Sequence, residues 1–428
     1  MAAKLTSAGY LLCDPYDRCD VVVINTCGFI ESAKEESIAE ILSAAERQSE
    51  SGGKLIVTGC LAQRYKAEIT EQLSEIDAAV ELSGNKDIAG IADGLLSGSP
   101  TVYPRQGKTY AGDTPWSISR QTEYDALPKS SGYAYLRIAD GCDNNCSYCA
   151  IPAIRGGYMA REPDDILDEA RARAGSGVGE LVLVAQDVTA YRYGTADTAV
   201  DLVGLLRLLT DDTALAGVRF RLLYCYPERI TDALIDYMAN EPRVVRYLDL
   251  PMQHCDDSIL GAMNRHSTRG GLTELVRKLK ERMPDIALRS TFIVGFPGET
   301  DGQWTDLCEF VRDCDFDYAG AFAYSEEEGT AAAALQYQVD GFIRQRRRDV
   351  IEEQFAVWQD MKLRRRLGST AEVLVCERSD GGGAGYAEFQ APEIDGCVRF
   401  TGGGANVGET VKVKLTVLEN GDYEGILI

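Results

Sequence analysis

Tyr133-Ala134-Tyr135-Leu136-Arg137-Ile138-Ala139-Asp140-Gly141-Cys142-Asp143-Asn144-Asn145-Cys146-Ser147-Tyr148-Cys149 joins a candidate strand, 133–138, to a loop that carries three cysteines. Their spacing is C-x₃-C-x₂-C, and no fourth Cys or His lies nearby in sequence. A structural zinc site wants four closed ligands, so a [4Fe–4S] cluster with one open iron fits Cys142, Cys146 and Cys149 better. An open iron can hold the amino and carboxylate groups of S-adenosylmethionine (SAM). One electron passed through the cluster then cleaves the sulfonium to a 5′-deoxyadenosyl radical, which attacks C–H bonds that no side-chain base deprotonates. Tyr148, beside the last of the three cysteines, is placed to pack against the adenine of SAM or to close the loop.

Downstream, candidate strands at 180–185, 218–223, 246–250, 288–294 and 317–323 alternate with helical patterns. Six βα-type units over 132–340 predict a partial, open barrel, and right-handed crossovers bring all six strand ends to one face. Gly295, at a strand end before Phe296-Pro297-Gly298, admits a ligand close to the backbone or simply makes a turn. His254 and His266 are the only histidines, and His254 reads as a structural hydrogen-bonder at the strand-end face. The stretch 341–367 contains Arg344, Arg346, Arg347, Arg348, Arg364, Arg365 and Arg366. It predicts a solvated linker helix whose arginines pair with Asp349, Glu352 and Glu353. From 368 to 428 short alternating strands, such as Val411, Val413, Leu415 and Val417, are parted by Gly-rich turns, the pattern of a small closed β-barrel.

Upstream of the opening stretch, 106–131 is rich in Pro, Gly and Ser and predicts a linker. Within 1–105, a buried strand of Val21, Val22, Val23 and Ile24 leads through Asn25-Thr26-Cys27-Gly28 to a helix on which Ile38, Ile41, Leu42 and Ala45 recur. The order repeats with Leu55-Ile56-Val57-Thr58, Gly59-Cys60 and a second helix, which is the grammar of a parallel α/β sheet. Ligands in such sheets sit beyond the carboxyl ends of the strands, where Cys27 and Cys60 lie. The alternative is two small buried cysteines near helix starts. The fold class is therefore α/β, in several domains.

The chain has 428 residues, 45% of them hydrophobic, which excludes global disorder. Its 44 Lys and Arg against 67 Asp and Glu give a net charge of −23. That balance disfavours a polyanionic partner, whose phosphates need an excess of basic groups, and leaves a basic protein partner open. Thirteen cysteines form an odd set in a chain large enough to bury cores without staples. Thiols in a reducing cytosol, some of them metal ligands, are expected. No apolar run of about 18 residues is present, so no membrane span is predicted. The polar N-terminus is no signal peptide, and a soluble, cytoplasmic protein is expected.

Asn25-Thr26-Cys27-Gly28-Phe29-Ile30, Val57-Thr58-Gly59-Cys60, the three-cysteine loop, Pro152-Ala153-Ile154-Arg155-Gly156, Tyr247-Leu248-Asp249-Leu250-Pro251-Met252-Gln253-His254 and the run from Arg289 to Thr300 cover almost the whole chain. Together they resemble the radical-SAM methylthiotransferase family. The resemblance implies a flavodoxin-like N-terminal domain, a partial (βα)₆ radical-SAM barrel and a C-terminal TRAM domain, an OB-like barrel. It also implies two [4Fe–4S] clusters and two uses of SAM, one supplying a methyl group to sulfur and one the radical, with a flavodoxin or ferredoxin as reductant. By that analogy Cys142, Cys146 and Cys149 hold the radical cluster, Cys27 and Cys60 part of the auxiliary one, and Tyr148 and Gly295 contact SAM.

Two segments, Ala391-Pro392-Glu393-Ile394-Asp395-Gly396 and Ala185-Gln186-Asp187, resemble the RimO type of this family, which modifies the β-carbon of an aspartate in the twelfth ribosomal small-subunit protein. The other branch modifies an adenosine of transfer RNA. From 368 to 428 ten acidic residues face four basic ones, the wrong sign for gripping RNA and the right sign for a basic ribosomal protein. The family pattern has one more Cys in a turn ahead of Ala8-Gly9-Tyr10. Cys19 cannot replace it, being about 25 Å from Cys27 along an extended strand, and neither can Cys13. The expectation is an N-terminally incomplete domain with two of three auxiliary ligands, able to cleave SAM but impaired in transfer, or able only to dock its ribosomal partner.

Overall fold

The computed structural model describes residues 1–14, 17–98, 131–195 and 198–428; the linker predicted over 106–131 falls, but for residue 131, outside the described residues. After a short helix α1 (Ala2–Ser7), strands β1 (Val21–Thr26), β2 (Lys54–Gly59) and β3 (Ala78–Val80) form a parallel sheet in that order. Alternation along β2 sends Leu55 and Val57 to one face, against helices α2 (Glu31–Ser51) and α3 (Cys60–Gln72). Ile56 goes to the other, against α4 (Ile88–Leu96). The predicted apolar stripe of α2 is corrected: Ile41 and Ala45 are buried, but Ile38 and Leu42 are exposed. The buried face includes Ser37 because its hydroxyl both accepts from the Cys27 backbone N–H at 3.0 Å and donates to the Cys27 carbonyl at 2.8 Å.

Six parallel strands follow: β4 (Tyr133–Arg137), β5 (Glu180–Val184), β6 (Arg219–Leu222), β7 (Val244–Asp249), β8 (Ala287–Val294) and β9 (Tyr318–Ala323). They pair in sequence order as one sheet with β4 and β9 at its two edges, an open barrel as predicted. The helices between them are α5 (Ile151–Arg155), α6 (Pro163–Gly175), α7 (Leu202–Asp211), α8 (Asp232–Asn240), α9 (Asp257–Ala262), α10 (Arg269–Arg282) and α11 (Asp301–Cys314). Leu181, Leu183, Phe220, Leu222, Leu248, Leu288 and Phe292 enter the main core with apolar residues of these helices. The other face carries Val182, Val245, Tyr247 and Tyr318, which pack on the last domain instead.

That domain is a closed barrel of β10 (Thr370–Ser379), β11 (Gly382–Ala387), β12 (Val398–Thr401), β13 (Thr410–Glu419) and β14 (Asp422–Leu427), paired in the order β10-β11-β12-β14-β13. Val413 and Leu415 point inward as expected, but Val417 does not: a register shift between Leu415 and Val417 turns it out and Leu418 in. The connection from β11 to β12 reaches into the concave face of the open barrel. There Asp395 accepts from the Tyr247 hydroxyl at 2.6 Å and from Arg289, while Glu393 accepts from the hydroxyls of Tyr133 and Tyr135. Arg221, fully buried, donates to Glu180 at 2.6 Å and to the Glu388 carbonyl at 3.0 Å.

The solvated linker helix predicted over 341–367 is also corrected. It forms as α12 (Gly341–Arg364) but packs along β9, burying Arg347, Ile351, Phe355 and Leu363. Arg347 donates to Glu299 Oε1 at 2.8 Å and to Asp301 at 2.7 Å, and Glu352 accepts the Ala321 N–H of β9. Only Arg348 pairs as foreseen, with Asp349. A charge-dense segment can be a packed one when its guanidinium heads find buried carboxylates and its stems lie on apolar surface.

Candidate functional site

The three-cysteine loop leaves β4 and is fixed along its whole length by backbone bonds. Gly141 adopts φ +73°, and a Cβ there would stand 2.1 Å from the Gly157 carbonyl oxygen, so the tight start of the loop requires glycine. The Cys142 N–H donates to the Gly156 carbonyl, the Ser147 N–H to Met263 and the Cys149 N–H to Cys146, at 2.9 to 3.2 Å. Asn144 donates to Asp187 at 2.8 Å and accepts from Arg229 at 2.9 Å, tying the loop to the ends of β5 and β6. The Tyr226 hydroxyl lies 3.9 Å from Cys146 Sγ, under the guanidinium of Arg265 stacked 3.9 Å from its ring centre.

Burial pushes the Cys142 thiol up and the Cys149 thiol up to about 12, with each neighbouring thiolate adding to the effect. Uncompensated, these thiols stay protonated; a bound metal cluster supplies the positive charge that makes them thiolates. Among the described residues no three His, Cys, Asp or Glu side chains converge as ligands of one ion. The thiolates of a four-iron cluster each bind a separate iron and need no such convergence. Three soft sulfur donors on one rigid loop therefore fit an iron–sulfur cluster.

Cys27 and Cys60 come together through strand register. Thr26 and Gly59 are partners at the ends of β1 and β2, so the two cysteines leave adjacent strands side by side. Gly59, at φ +101°, leaves no room for a Cβ beside Thr26, and Gly28 lies against the backbone of Leu61. Cys13 and Cys19 are instead bonded to each other before the other end of β1, a departure from the expectation of thiols throughout. Between the two cysteine sites stands Arg155, which sequence reasoning did not single out. Its Nη2 lies 3.5 Å from Cys60 Sγ, and its Nη1 donates to Asp140 at 3.2 Å. Cys60, Ala150 and Ile154 form one apolar contact there. Glu327 secures the same junction from β9's far end, pairing with Arg64 at 2.9 Å and Lys34 at 3.2 Å.

Tyr148 packs beside Met263, Phe296 and Tyr324, and the neighbouring Cys146 and burial drive its phenol well up. Gly295 has φ +72° and donates to Glu299 Oε2 at 2.8 Å, while the space a Cβ would take is filled by Arg344. His254, wholly buried, accepts from the Asp256 N–H at Nδ1, so its proton sits on Nε2, 3.6 Å from Glu299. Glu299 thus joins Gly295 and Arg347, with His254 beside it. The Gly298-Glu299 pair after a strand end was the available signal for it; Glu327 had none, its partners being 263 and 293 residues away. A cleft of about 280 Å³ between α11 and α12, lined by Val311, Phe316, Phe355 and Trp358, lies apart from these groups.

Residues 136–311 match the radical SAM superfamily, 1–81 the uncharacterized protein family UPF0004, and 367–428 the TRAM domain. The chain is 42% identical to a protein of Acetivibrio thermocellus named ribosomal protein uS12 methylthiotransferase RimO, over 96% of this chain and 91% of that one. Proteins of the same name from Geobacter sulfurreducens and Clostridium botulinum are 41% and 38% identical, over 99% and 100% of this chain and 93% and 94% of theirs. In fold it is similar to the radical S-adenosylmethionine methyltransferase TsrM of Kitasatospora setae, with TM-score 0.51 and 16% identity, over 71% of this chain and 61% of that one.

Proposed function

The chain belongs to the ribosomal protein uS12 methylthiotransferase family of radical-SAM enzymes, and from that premise we propose that it inserts a methylthio group at the β-carbon of an aspartate in that protein. The observation that supports this reading is the junction at Arg155, whose guanidinium lies against Cys60 on one side and against Asp140, at the start of the three-cysteine loop, on the other. Sulfur donation and radical formation need two centres within reach of one substrate carbon.

Cys142, Cys146 and Cys149 would hold a [4Fe–4S] cluster that, with SAM, supplies one-electron cleavage of an unactivated C–H bond. Cys27 and Cys60 would contribute thiolates to an auxiliary cluster. Asn144, Asp187 and Arg229 hold the radical-cluster loop, and Tyr148 and Gly295 are the residues that would contact SAM, Tyr148 against its adenine. Arg265, held by Glu228 at 3.1 Å, stacks on the ring of Tyr226, whose hydroxyl faces Cys146. Electrons would come from a flavodoxin or ferredoxin, and a ribosomal substrate places the work in the cytoplasm. No helix among the described residues is long and apolar enough to cross a membrane.

Most arginines of 344–366 are engaged within the chain and give transfer RNA little support: Arg344 donates to the carbonyls of Val339 and Tyr324, and Arg347, Arg364 and Arg366 pair with Glu299, Asp360 and Asp317, while Arg346 is exposed. The deciding experiment incubates reconstituted protein, SAM and reductant with uS12, then looks by mass spectrometry for a methylthio adduct on aspartate. An adduct on transfer RNA and none on uS12 would reverse the substrate assignment.

A further inference from the structure

The concave face of the open barrel ends, on the side of the closing β-barrel, in a cup built from both domains. Glu393 and Asp395 come from the inserted connection, Tyr135 from β4, Tyr224 from the end of β6, Asp249 from β7 and Arg289 from β8. Glu393, in the left-handed region at φ +66°, is exposed and faces the hydroxyls of Tyr133 and Tyr135. Tyr224 is also left-handed, at φ +59°, an uncommon conformation for a bulky residue. Its N–H donates to Asp249 Oδ2 at 3.2 Å, while its ring stays 46% exposed. Asp249 is buried, and among the described residues its Oδ1 accepts no hydrogen bond; Arg289 Nε is 4.0 Å away. Arg289 is already engaged, at 2.5 Å, by Asp395.

Three carboxylates around one guanidinium leave the cup net negative. A buried acceptor without a donor costs free energy that a ligand's N–H can recover. Partly exposed Tyr135 and Tyr224 offer aromatic surface on which an alkyl stem and its cationic head can rest. A fourth carboxylate brought here would meet repulsion, so the cup does not suit the reacting aspartate itself.

We propose that this cup receives a lysine or arginine side chain of the substrate protein that flanks the modified aspartate, with Glu393 and Asp249 sharing its charge. The proposal rests on the protein-substrate reading above and adds the residues that read the sequence around the target. Burial that lifts the Asp249 carboxyl to about 6 is consistent with an acceptor awaiting a counter-charge. The TRAM domain then contributes to substrate choice from inside the barrel, through Glu393 and Asp395, as well as through its outer surface.

A double-mutant cycle tests this with the full chain and purified uS12. Each Lys or Arg near the target aspartate is changed in turn to Met, and affinity is read by fluorescence anisotropy at physiological salt. One such change is expected to weaken binding about tenfold, or about 1.4 kcal/mol. The same change is expected to cost less than about threefold against Glu393→Gln, which keeps an acceptor for both tyrosines. Asp249→Asn, checked for folding by circular dichroism, is expected to do the same. Binding of uS12 with every cation equally costly in parent and variants would overturn the cup and leave the family reading intact. No binding of uS12 at all, with transfer RNA bound, would overturn both.

Discussion

Replacing Cys146 with alanine removes one of three thiols from a loop whose backbone is held independently of them. The fold should survive, while iron at the radical site and reductive SAM cleavage fall to background, read by iron analysis and 5′-deoxyadenosine release. Unchanged iron and cleavage would remove the ligand assignment. Asp249 gives a residue-scale test of a different kind. Burial raises its carboxyl from 3.8 to about 6, so the folded chain binds this proton more tightly than the unfolded one. Its contribution to stability is complete below about pH 4 and is lost as pH rises through about 6. Asp249→Asn should therefore raise Tm over the parent more at about pH 7.5 than at about pH 5, and an equal change at both values would show the carboxyl to be unperturbed. At this scale the cysteines were legible because spacing alone states their chemistry. Arg155 was not, since its sulfur partner is 95 residues away in another domain.

Elements were legible where a period carried them. The six strands of the open barrel lie within two residues of their predicted ends because each is a short apolar run between helices. The packing of α12 was hidden, because arginines dominate its sequence and the carboxylates that bury Arg347 come from the turn before α11 and its first residue. The same fact separates two substitutions on one helix. Arg347→Met leaves Glu299 buried without its cation and should cost about 3 kcal/mol or more. Arg364→Met, on an exposed pair with Asp360, should leave stability almost unchanged. Urea denaturation of both variants measures the contrast, and equal losses would return α12 to the solvated linker first expected. The outward turn of Val417 was likewise unreadable, because a bulge leaves no mark in an alternating run.

At the scale of the whole molecule, composition gave the sign of the partner and the motifs gave three domains, but neither placed the two cysteine sites against each other. That contact depends on Arg155, Arg64, Lys34 and Glu327, residues drawn together only by the finished fold. The charge of −23 makes the encounter with a basic protein salt-sensitive: uS12 affinity should fall as ionic strength rises from about 0.05 to 0.5 M. At about 0.15 M uS12 should outcompete transfer RNA, and the reverse order in a direct competition would restore RNA as the substrate. The insertion of the β11–β12 connection also orders events during synthesis. Tyr133 and Glu393 touch although 260 residues separate them, and Val182, Val245, Tyr247 and Tyr318 pack in one cluster with the last domain and Leu363 of α12. While the ribosome is still making that domain, the nascent barrel shows a bare apolar hollow with Glu180 and Arg221 inside it, so a chain cut after α12 should aggregate or recruit chaperones. The floor of the reaction chamber is laid only after every strand of the open barrel has been made.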